Sequence, residues 1–149
     1  MAKKLWEKST QINAEIERFT IGKDREMDMH LAKYDVLGSI AHIIMLESIG
    51  LLSKKELDLL CKALKEIYID IEKNNFSINK DVEDIHSQVE LLLTEKLGDI
   101  GKKIHSGRSR NDQVLLDLKL FTRAKIEEII LEMEGLFQTL IAQSNRYKD

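Results

Sequence analysis

The stretch 111-NDQVLLDLKLFTRAKIEEIILEMEGLFQTLIAQSNRYKD-149 decides how the chain is read. Leu115, Leu118, Phe121, Ile129, Met133, Leu136, Phe137, Leu140 and Ile141 fall at helical spacing, no proline interrupts them, and only Gly135 opposes a helix. At about 1.5 Å per residue such a helix is about 55 Å long, whereas a compact chain of this size is about 40 Å across. Part of the helix must therefore project. Its apolar stripe then needs covering by further chain or by other subunits, so the expectation is a truncated protein, an oligomer, or both.

Immediately upstream runs Gly98-Asp99-Ile100-Gly101-Lys102-Lys103-Ile104-His105-Ser106-Gly107-Arg108-Ser109-Arg110-Asn111, read as a loop from Gly98 to Asn111. Lys102, Lys103, Arg108 and Arg110 face one carboxylate, Asp99, so the segment is locally basic in a chain of formal net charge -3. Its three glycines let backbone amides turn toward a ligand, Ser106 and Ser109 add hydroxyls, and the free amides opening the long helix add partial positive charge. Together these features describe an anion site. The planar fork of Arg110 matches a carboxylate, and Asn111 beside it both donates and accepts, which suits a polar substrate carrying carboxylates. On composition alone a solvated basic loop, with Asn111 or Asp112 merely capping the helix, is the more economical reading.

Three shorter helices precede the loop. From about Arg25 to Ile49, Leu31, Tyr34, Leu37, Ala41, Ile44 and Met45 form an amphipathic stripe that Gly50 closes. Ser53-Lys54-Lys55-Glu56 is a capping box for a second helix carrying Leu57, Leu60, Leu64, Ile67 and Ile71 and ending near Asn74. Asp81 or Asp84 caps a third, with Ile85, Val89, Leu92 and Leu93, which runs out at Gly98. The residues before Arg25 read as irregular.

With 149 residues, 43% of them hydrophobic, the chain can hold one domain plus an appendage. The absence of proline and the Leu, Ile, Lys and Glu usage favour an all-α fold. The near-cancelling charge and the lack of aromatic interleaving in the basic loop argue against a nucleic-acid partner. No apolar run approaches the length of a membrane span. Cys61, alone and at helical spacing among leucines, reads as a small core residue in a reducing compartment. Trp6 reads as docking on the domain or a neighbour. No Cys or His cluster has zinc spacing, so no metal is expected. His30 and His42 read as structural. His86 has Glu90 four residues on as a pairing partner, and His105 sits beside the cations.

The run Ser106-Gly107-Arg108-Ser109-Arg110-Asn111-Asp112-Gln113-Val114, preceded by Gly101-Lys102-Lys103-Ile104-His105, resembles the signature of argininosuccinate lyases, members of the fumarase and aspartase superfamily. The resemblance extends to Leu5-Trp6, to Asp35-Val36-Leu37-Gly38-Ser39-Ile40-Ala41-His42 and to Glu83-Asp84-Ile85-His86-Ser87. It implies a small N-terminal helical domain, residues 1–110, followed at 111–149 by the start of a central helical bundle, in an enzyme about three times as long. It implies a cytoplasmic homotetramer of arginine biosynthesis that cleaves argininosuccinate to arginine and fumarate by anti elimination, without cofactor or metal. A related lyase acting on another succinyl substrate, and a non-enzymatic helical module whose basic loop binds an acidic partner, are the alternatives.

By the same resemblance Asn111, Arg110 and Ser109 hold substrate, His86 and His105 support them, and the catalytic base and acid lie in later motifs absent from this chain. The family's N-terminal substrate-binding Ser has no counterpart in residues 18–24, which offer Thr20 and, as a surface lysine, Lys23. The opening motif also continues Glu7-Lys8-Ser9 where the family has Gly-Gly-Arg-Phe.

Overall fold

The computed structural model describes residues 14–148, and every regular element among them is helical: α1 (Ala14–Ile21), α2 (Asp24–Asp28), α3 (Ala32–Ser48), α4 (Lys54–Glu72), α5 (Ile85–Leu97), α6 (Asp99–Lys102), a single 3-10 turn (Lys103–His105) and α7 (Arg110–Arg146). Leu5 and Trp6 lie outside the described residues.

Where local chemistry sets the ends, the boundaries follow the sequence. Ser53 and Glu56 form the expected capping box, each side chain meeting the other's backbone amide. Asp84, of the two candidate caps, accepts from the Ser87 amide at 2.7 Å. Gly98 ends α5 with φ 63, a backbone that glycine adopts without steric cost. The Lys103 ammonium reaches Glu56 at 2.6 Å and, with the Ser53 cap, lowers that carboxyl to about 2, which ties the start of α4 to the 3-10 turn.

Four expectations need correction. Residues before Arg25 are not all irregular, since α1 lies there. The first long helix is split, with α2 and α3 separated by a turn at Met29–Leu31. Tertiary contacts account for the split: Arg25 Nε donates to the Val82 carbonyl at 2.6 Å, and Asp28 accepts from the Ile85 amide at 3.1 Å. Both tie the segment to the approach to α5. Third, α3 turns a different face inward. Ala32, Val36, Ser39, Ile43 and Leu46 are buried, whereas Leu37, Ile44 and Met45 are exposed. A helix apolar nearly all round offers periodicity on more than one face, and packing selects between them. Finally, the basic loop is largely helical, because α6 and the 3-10 turn occupy residues 99–105 and α7 begins at Arg110.

The core joins α3, α4 and α5 through Val36, Ile43, Leu46, Leu57, Leu60, Leu64, Ile85, Val89 and Leu93, with Ile104 inserted from the 3-10 turn and Cys61 packed at the margin. Gly101 allows α6 to fold back on α5. A Cβ there would lie 2.4 Å from the backbone carbon and oxygen of Leu93, atoms that cannot step aside. Gly101→Ala is expected to cost about 3 kcal/mol, at the upper end of ordinary overpacking, as a lowered urea midpoint with an unchanged slope.

Helix α7 crosses α3 beside Gly38, where an added Cβ would meet the Leu116 side chain at 2.8 Å. Phe121 packs edge-on against Tyr34 with ring centroids 6.0 Å apart. Beyond these contacts the 37-residue helix leaves the body, and every described residue from Lys125 onward is exposed. Its Ile129, Met133, Leu136, Phe137, Leu140 and Ile141 form the projecting apolar stripe expected from the sequence.

Candidate functional site

Two helix starts meet at the site. The N-terminus of α7 is closed by Ser109, whose hydroxyl accepts from the Asp112 amide while Asp112 accepts from the Ser109 amide at 2.7 Å and from its hydroxyl at 3.0 Å. The backbone amide and hydroxyl of Ser109 hold the Asp112 carboxyl below its ordinary range. The cap is thus Ser109, in place of Asn111 or Asp112. A carboxylate three residues into the helix satisfies the cap amide and complements the helix dipole.

The residues expected to hold substrate occupy three consecutive positions with different freedom. Ser109 spends its hydroxyl in the cap. Arg110 is half-buried, with Nε 3.0 Å from the Asp84 carboxylate, Nη2 donating to Ser87 Oγ at 2.8 Å and Nη1 donating to Gln113 Oε1 at 3.1 Å. Asn111 is exposed, and among the described residues its side-chain amide meets no partner. Thr20, the N-terminal candidate, donates its hydroxyl to the Ile16 carbonyl, and Lys23 is exposed at the start of α2.

Beneath this turn lies a buried polar cluster built from four parts of the chain: Asp35 and Ser39 of α3, His86 of α5, Arg108 of the turn and Asp117 of α7. His86 Nδ1 lies 2.7 Å from Asp35 Oδ1 and 3.7 Å from Asp117 Oδ2, and Arg108 Nη2 donates to Ser39 Oγ at 2.9 Å. One oxygen each of Asp35 and Asp117, and Arg108 Nε, are buried without a hydrogen-bond partner. Burial, then the neighbouring Asp35, pushes the Asp117 carboxyl up to about 7 against the pull of His86 and Arg108. Burial lowers the Arg108 guanidinium from its ordinary value, while Asp35 and Asp117 raise it.

Asp35, His86 and Asp117 offer ligand atoms within 4.8 Å of one another. With His86 bonded to Asp35 and the Arg108 cation close to both carboxyls, the group reads as a buried polar network around one permanent cation, with Asp117 holding a proton below about pH 7.

The expected pairing of His86 with Glu90 is not formed: His86 turns inward, and Glu90 instead faces His105 at 3.7 Å. His42 bonds the Ser106 carbonyl at 2.9 Å and so ties the Ser106–Ser109 turn to α3, while burial lowers its pKa. Asp35, Ser87, Gln113 and Asp117 were missed as members of this region. Asp117 carried a signal, a carboxylate set within Val114-Leu115-Leu116-Asp117-Leu118.

The shift at Asp117 fixes the sign of a pH effect. The native carboxyl keeps a proton that the unfolded chain releases above its ordinary value, so the folded state binds more protons between about pH 4 and about pH 7. Stability from this group is present below that window and is lost as pH rises through it. Asp117→Asn is expected to flatten that slope in urea unfolding, and an unchanged slope would remove Asp117 as its source. The depressed carboxyls of Glu56 and Asp112 act in the opposite sense at lower pH, where their contributions are lost as pH falls.

A lyase family model matches residues 2–149, and the chain belongs to that family. Within it, the chain is 68% identical over 149 residues to the argininosuccinate lyase of Bacteroides thetaiotaomicron and 66% identical over 149 residues to that of Phocaeicola vulgatus, in each case covering 100% of this chain and 33% of the relative. The argininosuccinate lyase of Thermotoga neapolitana is 40% identical over 151 residues, covering 99% of this chain and 38% of the relative. The chain thus spans about a third of the length of these curated relatives. No helix among the described residues is long and apolar enough to cross a membrane.

Proposed function

We propose that residues 1–149 supply the first third of an argininosuccinate lyase and hold its substrate. The observation that carries this reading is Asn111: an unpartnered amide on the first turn of α7, beside Arg110 and Ser109 and in a chain similar along its whole length to argininosuccinate lyases. His86, bonded to Asp35, and His105, facing Glu90, act as supporting residues. Residues 1–110 form the substrate-side domain, and 111–149 begin a helical bundle.

In the reaction a base removes the proton beside a substrate carboxylate, the electron pair spreads onto that carboxylate, and the carbon–nitrogen bond breaks as an acid protonates the departing guanidinium nitrogen. Donors aimed at the carboxylate lower the barrier because they meet charge that grows in the transition state. An asparagine amide at a helix N-terminus supplies such a donor in a positive local field. The base and the acid lie outside residues 1–149. The elimination needs no metal or cofactor. The uncovered stripe of α7 is the surface along which a cytoplasmic homotetramer would assemble its bundle.

The test is to offer argininosuccinate and adenylosuccinate separately to the complete polypeptide that carries this chain. Fumarate release from argininosuccinate alone is expected. Preference for adenylosuccinate would reassign the substrate within the same reaction class.

A further inference from the structure

Arg110 and Asn111 are neighbours on one helical turn, yet one is held at three points and the other is free. We propose that Arg110 acts as a positioning residue: its guanidinium locks the first turn of α7 to the first turn of α5 and so aims the Asn111 amide at the substrate. This inference rests on the reading that Asn111 holds substrate.

Each guanidinium nitrogen of Arg110 has its own partner: Asp84 on Nε, Ser87 on Nη2 and Gln113 on Nη1. Those partners are themselves fixed. The carboxylate of Asp84 is the cap of α5 and accepts from the Ser87 amide at 2.7 Å, so Arg110, Asp84 and Ser87 close a ring of hydrogen bonds. Gln113 is buried, only 4% exposed, one turn along α7. A planar fork can meet three partners in fixed directions, whereas a lysine ammonium is a point charge on a flexible stem.

Charge leads to the same assignment. The Asp84 carboxylate caps the start of α5 and meets the Arg110 guanidinium on the first turn of α7, so it offsets the α5 dipole and the Arg110 cation together. Paired in this way, Arg110 has less attraction left for a substrate carboxylate. Rotation of this turn would swing Asn111 away from its target, and an error of about 1 Å in a reacting geometry costs about 100-fold in rate.

The experiment is a double-mutant cycle in the complete enzyme with Arg110→Ala, Asp84→Asn and their combination. Asparagine caps helices about as well as aspartate, so Asp84→Asn keeps α5 closed and carries the test even where Arg110→Ala fails to fold. Each single change is expected to lower kcat about tenfold, with KM within about threefold of wild type, and the double variant to be no slower than Arg110→Ala. Arg110→Lys should not restore kcat. In an Asn111→Ala background Asp84→Asn should have no further effect, a result that a merely structural role would not give. Normal turnover in Asp84→Asn, with a KM raised about tenfold or more in Arg110→Ala and effects that multiply in the double variant, would overturn the inference alone. A wild-type enzyme that releases no fumarate overturns the functional reading, and this inference with it.

Discussion

Alanine at Asn111 is expected to lower turnover of argininosuccinate by the complete enzyme by about 100- to 1000-fold, the loss that follows removal of a single donor aimed at developing negative charge. The fold should not change. Asn111 is exposed on the first turn of α7 and partnerless among the described residues, so the substitution breaks no internal bond, and alanine is the strongest helix former. Circular dichroism and the urea midpoint should match wild type while kcat collapses. Near-normal turnover would contradict the assignment of Asn111 as a substrate contact.

His86→Ala is expected to act on stability, by about 3–5 kcal/mol at neutral pH, because it strips one partner from a buried ionic group. The imidazole is 3% exposed and sits between two carboxylates that are each 1% exposed, and the Asp35 oxygen it meets at 2.7 Å has no replacement. Asp35 would be left beside Asp117 with Arg108 as the remaining counter-charge. Urea unfolding measures the loss. Removing Asp35 as well should recover part of it, since an apolar pair without the buried charge avoids the uncompensated desolvation. A change below about 1 kcal/mol would mean that the network does not hold α7 against α3 and α5.

The elements legible in the sequence are those fixed by neighbours along the chain. The Ser53–Glu56 box, the Asp84 cap, the glycine that ends α5 and the uninterrupted α7 each depend on residues a few positions apart. The inward face of α3 was not legible, because Leu37 and Ile44 are as apolar as Val36 and Ile43, and only packing against α4 and α7 separates them. The buried cluster was hidden for a related reason. Its bonds join residues far apart in the chain, Asp35 to His86 across 51 positions and Ser39 to Arg108 across 69, distances over which periodicity carries no information.

Within the turn at Ser109–Asn111, residue type did not show which side chains are already bonded. Arginine beside asparagine reads as two ligands for a carboxylate. That one of them is spent on Asp84, Ser87 and Gln113 depends on where α5 begins relative to α7, and that relation comes from the packed core. Asp117, overlooked although it is a charge within an apolar run, has partners that are set by the crossing of α7 over α3 at Gly38.

The most direct measurement is fumarate release from argininosuccinate, followed by ultraviolet absorbance, for the complete polypeptide and for residues 1–149 alone under the same conditions. Turnover is expected from the complete polypeptide and none from residues 1–149, which on the proposed reading hold substrate while the base and acid lie elsewhere. Turnover by residues 1–149 alone, or its absence in the complete polypeptide, would contradict that division.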